Sequence, residues 1–193
     1  MDLSDEELIQ GVQRGSEENF RALYDKYKAP LFNYLYRFLG DKQTAEDSLQ
    51  DVFIRVHQKA NMYKPTAKLS SWLYKIAKNA AFDALRKIKT RKASSFEAPI
   101  DSAEPEASLG DFIKSTSADP RTQSVSNELA GLVHGAIARL NDGDRELVVL
   151  CDIQELSHKE VGEILGFSAG TIAVKLYRVR QKLAEILKIE GDF

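Results

Sequence analysis

Residues 157–182 read Ser-His-Lys-Glu-Val-Gly-Glu-Ile-Leu-Gly-Phe-Ser-Ala-Gly-Thr-Ile-Ala-Val-Lys-Leu-Tyr-Arg-Val-Arg-Gln-Lys, two helix starts separated by one glycine-marked turn. Ser157 with Glu160 has capping-box spacing, in which hydroxyl and carboxylate each satisfy a backbone N–H of the first turn. Leu156 and Val161 sit where a hydrophobic staple closes the same start. Val161, Ile164 and Leu165 share one helical face, and Gly166 then ends the helix. Ser168 caps a second helix, in which Ile172, Leu176, Val179, Leu183 and Ile186 recur in steps of four and three as one buried stripe. A short helix, a tight turn and a longer helix make a helix-turn-helix, whose second helix fits a DNA major groove. Residues 168–182 carry Lys175, Arg178, Arg180 and Lys182 and no acid. Glycine-turned hairpins also arise without nucleic acid, and the helix dipole alone favours cations in a last turn. The rest of the chain has to decide.

The 193 residues suit two small domains. A hydrophobic content of 43% with 29% charged residues is that of a folded globular chain. The longest aliphatic run, Leu147 to Cys151, is too short to span a bilayer. The acidic start Met-Asp-Leu-Ser-Asp-Glu-Glu lacks the basic and apolar regions of a signal peptide, so a cytoplasmic location is expected. Cys151 is the single cysteine and reads as core filler. His57, His134 and His158 stand at no metal-ligand spacing, so neither metal nor cofactor is expected.

A net charge of −2 looks wrong for a DNA binder until it is divided along the chain. Residues 1–92 hold 17 basic and 12 acidic side chains, residues 93–128 hold 2 and 7, and residues 129–193 hold 8 and 10. Between Lys75 and Lys92 seven basic residues face Asp83 alone. Patches, rather than totals, bind phosphates.

The chain reads as all helix. Ser4 with Glu7, and Thr44 with Asp47, resemble further capping boxes. Leu31, Tyr34, Leu35, Phe38 and Leu39 form a stripe that stops at Gly40; Ala45, Leu49, Val52, Phe53 and Val56 form the next. A third runs through Leu73, Ile76, Ala77, Ala80, Ala84 and Ile88. From about Lys89 to Val125 the periodicity fails among Ser94, Pro99, Pro105, Gly110 and Pro120, with a short helix expected near 109–114. Periodicity resumes at Ser126 with Leu129, Leu132, Val133, Ile137 and Leu140. The expected architecture is therefore an all-α chain of two helical domains, 1–90 and 126–193, joined by an acidic flexible linker at 91–125.

The helix expected over Ser71–Lys87 carries the second signal. Opposite its core stripe gather Trp72, Lys75, Asn79, Phe82, Asp83 and Arg86. Aromatic, basic and amide groups on one exposed face suit unstacked bases and their phosphates. For Trp72 and Phe82, ordinary packing against a neighbouring helix is the competing reading.

Ala-Glu-Asp at 45–47 with Gln50, Asp51 and Phe53 resembles a region 2 helix of bacterial sigma factors. Ser-Trp-Leu-Tyr-Lys-Ile-Ala-Lys-Asn at 71–79 with Asp83 and Arg86 resembles the next helix of that region. Leu140 with Arg145, followed by the helix-turn-helix through Gly-Thr-Ile at 170–172 and Arg178, resembles region 4. Three motifs in this order, within so short a chain, resemble the extracytoplasmic-function (ECF) branch.

The resemblance implies a promoter-specificity subunit with no catalysis of its own. Asp47, Gln50, Asp51 and Ile54 would dock on the beta-prime clamp helices of core RNA polymerase, and region 4 on the beta flap. Trp72, Lys75, Asn79, Phe82, Asp83 and Arg86, with the loop 62–69, would capture a flipped base of the melted −10 promoter DNA. His158, Lys159, Ser168, Thr171, Ala173, Val174, Lys175, Tyr177, Arg178 and Lys182 would meet the −35 duplex. An anti-sigma factor, able to hold the chain at a membrane it does not itself enter, is a further implied partner. Ala173 and Val174 depart from the family, where Arg, Lys or Ser is common; apolar side chains meet thymine methyls and make no bidentate contact with guanine. His57 stands where Trp or Tyr is commoner, and these departures leave the promoter sequence open.

A DNA-binding regulator that shares only the helix-turn-helix would need a sensor or receiver domain in place of residues 45–88, and none is visible. An enzyme would need convergent nucleophile, acid–base or metal groups. Asp47 with Asp51 is an i, i+4 carboxylate pair, better suited to a basic partner than to a metal.

Overall fold

The computed structural model describes residues 3–94 and 131–190, so residues 95–125 of the expected linker, with its short helix, lie outside the described residues, while 91–94 are helical rather than linker. Among the described residues there is no strand. The chain runs through α1 (Asp5–Gln13), α2 (Glu17–Leu39), α3 (Lys42–Lys59), a 3-10 turn (Ala60–Met62) and α4 (Leu69–Ser94). Then come α5 over residues 131–138, α6 (Asp142–Val148), a π-helical turn (Val149–Ile153), α7 (His158–Leu165) and α8 (Ala169–Glu190).

Local chemistry sets the boundaries. Capping boxes form at Ser4/Glu7 and at Ser157/Glu160. The one expected at Thr44 does not: α3 starts earlier, capped by Asp41, whose carboxylate accepts from the Thr44 N–H at 2.7 Å. A carboxylate is at least as good a cap as a hydroxyl and also suits the helix dipole. Gly40 ends α2 and Gly166 ends α7, both left-handed, at φ +78 and +80. α4 runs to Ser94, beyond the end expected from periodicity.

The N-terminal helical domain is built on α2, α3 and α4, with Leu31, Tyr34, Leu35, Phe38, Val52, Val56 and Leu73 almost fully buried. The C-terminal helical domain packs α6 and α7 on α8, whose stripe Ile172, Leu176 and Val179 is buried. Sequence periodicity treats these as separate bodies, yet they pack on each other and their apolar residues form one continuous core. α4 explains how. Besides the stripe Leu73, Ile76, Ala77 and Ala80, it buries Tyr74 and Ala81, about 100° further round the helix. α4 thus packs both within its own domain and on α7, while α2 meets α6 and the π-helical turn.

Polar bonds fix this interface. The Tyr34 hydroxyl donates to Glu146 Oε1 at 3.2 Å, with both residues buried. The Tyr74 hydroxyl donates to Gln154 Oε1 at 2.8 Å, and Arg145 donates to the Phe38 carbonyl at 3.1 Å. At the rim Lys68 pairs with Glu160 and Lys89 with Asp142, each at 2.8 Å. Burial raises the Glu146 carboxyl above its usual range, opposed by the charge of Lys78 and the bond from Tyr34. Hydrogen bonds from Lys68 and Ser157 hold Glu160 down at about 2.

Candidate nucleic-acid interface

The helix-turn-helix depends on one close backbone approach. A Cβ on Gly162 would stand 2.5 Å from the Phe167 carbonyl oxygen, so only glycine lets the turn close. The Phe167 N–H returns a bond to the Gly162 carbonyl at 3.0 Å. Ser168 Oγ then accepts from the Thr171 N–H at 3.1 Å and starts α8.

On α8, burial of Ile172, Leu176 and Val179 turns Thr171, Val174, Lys175, Tyr177 and Arg178 to solvent, with Ala173 half-buried. Val174 is 56% and Tyr177 65% exposed, which is unusual for side chains of their size. His158, Lys159 and Ser168 are exposed at the starts of α7 and α8. The cations of α8 differ in their surroundings. Arg180 donates two hydrogen bonds, from Nε and Nη2, to the Asp152 carboxylate, and Lys182 pairs with Asp144 at 2.7 Å. Lys175 lies over the Phe167 ring, 4.9 Å from its centroid. Arg178 is exposed and has no hydrogen-bond or ion-pair partner among the described residues.

α4 separates its expected face into two sets. Lys75, Asn79 and Arg86 are exposed. Trp72 is half-buried against Tyr63, with ring centroids 5.5 Å apart, and Phe82 packs on Phe38 at 5.3 Å. Asp83 lies between Arg55 at 3.1 Å and Arg86 at 3.5 Å. The preceding loop presents Met62, 71% exposed, while Tyr63 is buried and donates to the Ala67 carbonyl at 2.9 Å.

On α3, Asp47, Gln50, Asp51 and Ile54 are all exposed, opposite the buried Ala45, Val52 and Val56. Asp47 and Asp51 border a cleft of about 200 Å³ between α3 and α4, whose other wall carries Asp83, Lys87 and Arg91. Among the described residues no group of His, Cys, Asp and Glu could hold a metal ion. No described helix is long and apolar enough to cross a membrane. Sequence reasoning missed Phe167 and the acids Asp144 and Asp152, and read Glu160 as a capping residue without its partner Lys68. Nothing in helical periodicity shows which distant carboxylate a given lysine meets.

The folded chain is thus an all-helical protein of two packed domains, the second ending in a helix-turn-helix with an unneutralised arginine. Residues 23–91 match the family Sigma-70 region 2, and residues 130–183 match Sigma-70, region 4. The chain is 32% identical over 189 residues to the ECF RNA polymerase sigma factor SigW of Bacillus subtilis (strain 168), covering 97% of this chain and 99% of that one. It is 26% identical to the RNA polymerase sigma-H factor of Pseudomonas aeruginosa, over 95% of this chain and 94% of that one. CnrH, solved in complex with the cytosolic domain of CnrY, superposes with TM-score 0.70 at 21% identity, over 97% of this chain and 99% of that one. Sigma factor RpoE from Bartonella quintana, solved with the anti-sigma factor NepR, gives TM-score 0.66 at 22% identity, over 90% and 99% of the two chains. The chain belongs to the ECF sigma factors of bacterial RNA polymerase, the transcription initiation factors that direct polymerase to promoters.

Proposed function

We propose that the chain docks on the beta-prime clamp helices of core polymerase through Asp47, Gln50, Asp51 and Ile54. The domain 1–90 then captures an extruded −10 base with α4 and the loop 62–69. The domain 126–193 meets the beta flap and reads the −35 duplex with α8, and residues 91–125 join the two. The observation that carries this reading is the separation of faces. α3 turns two carboxylates to solvent while α4 exposes Lys75, Asn79 and Arg86, and α8 exposes Arg178. An acidic face suits a basic protein partner and repels phosphate, whereas the basic helices attract it. Asn79 offers the amide donor and acceptor that a flipped base edge requires.

The packed arrangement is the form off the promoter. By their names the two elements stand about 25 base pairs apart, ~85 Å of duplex at 3.4 Å per base pair. Lys68, in the −10 loop, is 2.8 Å from Glu160, on the helix that leads into α8. The domains therefore part before both elements are read. An anti-sigma factor that binds the packed form would keep it closed; RpoE is solved in complex with the anti-sigma factor NepR, and CnrH with the cytosolic domain of CnrY. The chain works in the cytoplasm, where polymerase is.

Charge reversal of Asp47 and Asp51 tests the division of labour. Both are exposed, so Asp47→Lys with Asp51→Lys is expected to leave the thermal unfolding curve in place and to abolish capture of core polymerase. Undiminished capture would remove Asp47 and Asp51 from the polymerase-binding face.

A further inference from the structure

The cations of α8 are oriented in two different ways. Arg180 and Lys182 are held by carboxylates, Asp152 and Asp144, which fix the side chains and also cancel their charge. Lys175 is held by the Phe167 ring, 4.9 Å below its Nζ. An aromatic face attracts a cation through its quadrupole, carries no net charge and takes up no N–H donor in a conventional hydrogen bond. A lysine seated this way keeps its full charge and its donors for a ligand, while losing part of the rotamer freedom that otherwise opposes binding.

The ring is itself well anchored. Gly166 at φ +80 precedes it, its own N–H bonds the Gly162 carbonyl, and its carbonyl fills the space that a Cβ at 162 would need. Ser168, next in the chain, caps α8. The side chain is nevertheless 47% exposed. A large ring that a rigid turn leaves in solvent, under a cation from two turns along the next helix, adds little to the core. It is well placed to steer that cation.

We propose that Phe167 is a specificity-setting positioning residue: its ring aims the Lys175 ammonium at the acceptor edge of one guanine in the −35 duplex. This rests on the reading of α8 as the groove-facing helix. Guanine offers O6 and N7 in the major groove, the acceptors a lysine donor selects.

The test uses holoenzyme reconstituted from core polymerase and the complete chain, competed over every single-base variant of a −35 element. Phe167→Leu is expected to lower preference about two- to fivefold at one base pair, as expected for an exposed cation–π contact of ~0.5–1 kcal/mol. Lys175→Ala should affect the same pair, and the double variant should do no more there than Lys175→Ala. Phe167→Trp should keep the preference. Pentafluorophenylalanine at 167 keeps the ring's shape and reverses its quadrupole, so it should behave as Phe167→Leu even if the leucine variant folds poorly. Arg178→Ala relaxes a different pair and reports on the groove reading itself. If pentafluorophenylalanine leaves every preference unchanged while Arg178→Ala relaxes one, the role of Phe167 is overturned and the groove reading stands. A uniform loss over all sequences with pentafluorophenylalanine also overturns it, by marking the ring as structural. If neither Lys175→Ala nor Arg178→Ala changes any −35 preference, the groove reading falls and the proposal with it.

Discussion

Removing one oxygen from the domain interface should open the chain. Tyr34→Phe keeps the ring, which is fully buried, and takes away the hydroxyl that donates to Glu146 at 3.2 Å. Glu146 is 4% exposed, so its carboxylate would remain buried with that donor gone. Hydrogen bonds to charged groups contribute ~1.5–3 kcal/mol, and a loss of about 2 kcal/mol lowers the closed-to-open ratio about 30-fold. Opening exposes only the interface, so its m in urea lies below the ~2 kcal/mol/M of whole-domain unfolding and the opening midpoint should fall by roughly 1 M or more. The assay is a urea titration of energy transfer between dyes on cysteines introduced at the exposed Gln58 and Ala184, with Cys151 replaced by alanine. Glu146→Gln removes the buried charge and still accepts from Tyr34, so it should shift the midpoint far less. In the Glu146→Gln background the cost of Tyr34→Phe should fall below about 1 kcal/mol, because no unpaired charge remains. An unchanged midpoint in Tyr34→Phe, or an equal shift in both backgrounds, would refute the reasoning.

The pH dependence of closure separates two carboxyls. Burial raises Glu146 above its ordinary 4.5, so closing takes up a proton; its contribution is complete below 4.5, fades as pH rises through the raised value, and should lose that slope in Glu146→Gln. Glu160 has the opposite sign: Lys68 across the interface is the first cause of its lowering to about 2, so that share favours closure while the carboxylate is charged and is lost as pH falls toward 2. The Ser157 bonds lie within the start of α7 and carry none of it, and Lys68→Ala should remove this limb from the same titration. Gly162→Ala forces a methyl to within 2.5 Å of the Phe167 carbonyl, and should destabilise the C-terminal domain by ~1–3 kcal/mol in thermal unfolding or distort its turn. Asn79→Ala should leave recruitment intact and reduce −10 opening, read by permanganate reactivity of melted thymines; normal opening would assign Asn79 no role in base capture. Arg178→Ala should relax one −35 base pair by ~1–3 kcal/mol, whereas Lys182→Ala, whose charge Asp144 already offsets, should change no base preference and weaken binding little. Identical profiles of the two variants in −35 competition would remove α8 from the groove.

Much of the fold was legible because its signals are local. The capping box at Ser157, the left-handed Gly166 and the stripe Ile172, Leu176 and Val179 lie within a few residues of what they control. The start of α3 was misread because Asp41 and Thr44 both offer capping oxygens, and only the folded backbone shows which accepts. The packing of the domains was not legible. Tyr74 and Ala81 look like flank positions beside one amphipathic stripe, and only the docking of α7 makes a second core face of them. The π-helical turn at Val149–Ile153 reads as an ordinary apolar helix, although its C-cap Gln154 bonds Tyr74 of the other domain. For the candidate site, exposure of Asp47, Asp51, Asn79 and Arg178 follows from periodicity. Their environments depend on long-range partners, as the Asp144–Lys182 and Phe167–Lys175 contacts illustrate.

Run-off transcription from a pool of randomised promoters, with purified core polymerase and this chain alone, tests the central claim most directly. Core polymerase by itself should give no promoter-restricted transcripts. Adding the chain should yield transcripts from templates that share one −35 and one −10 element, and the Asp47→Lys, Asp51→Lys chain should yield none. A chain that binds duplex DNA from the pool yet never directs core polymerase to start on it would contradict the account.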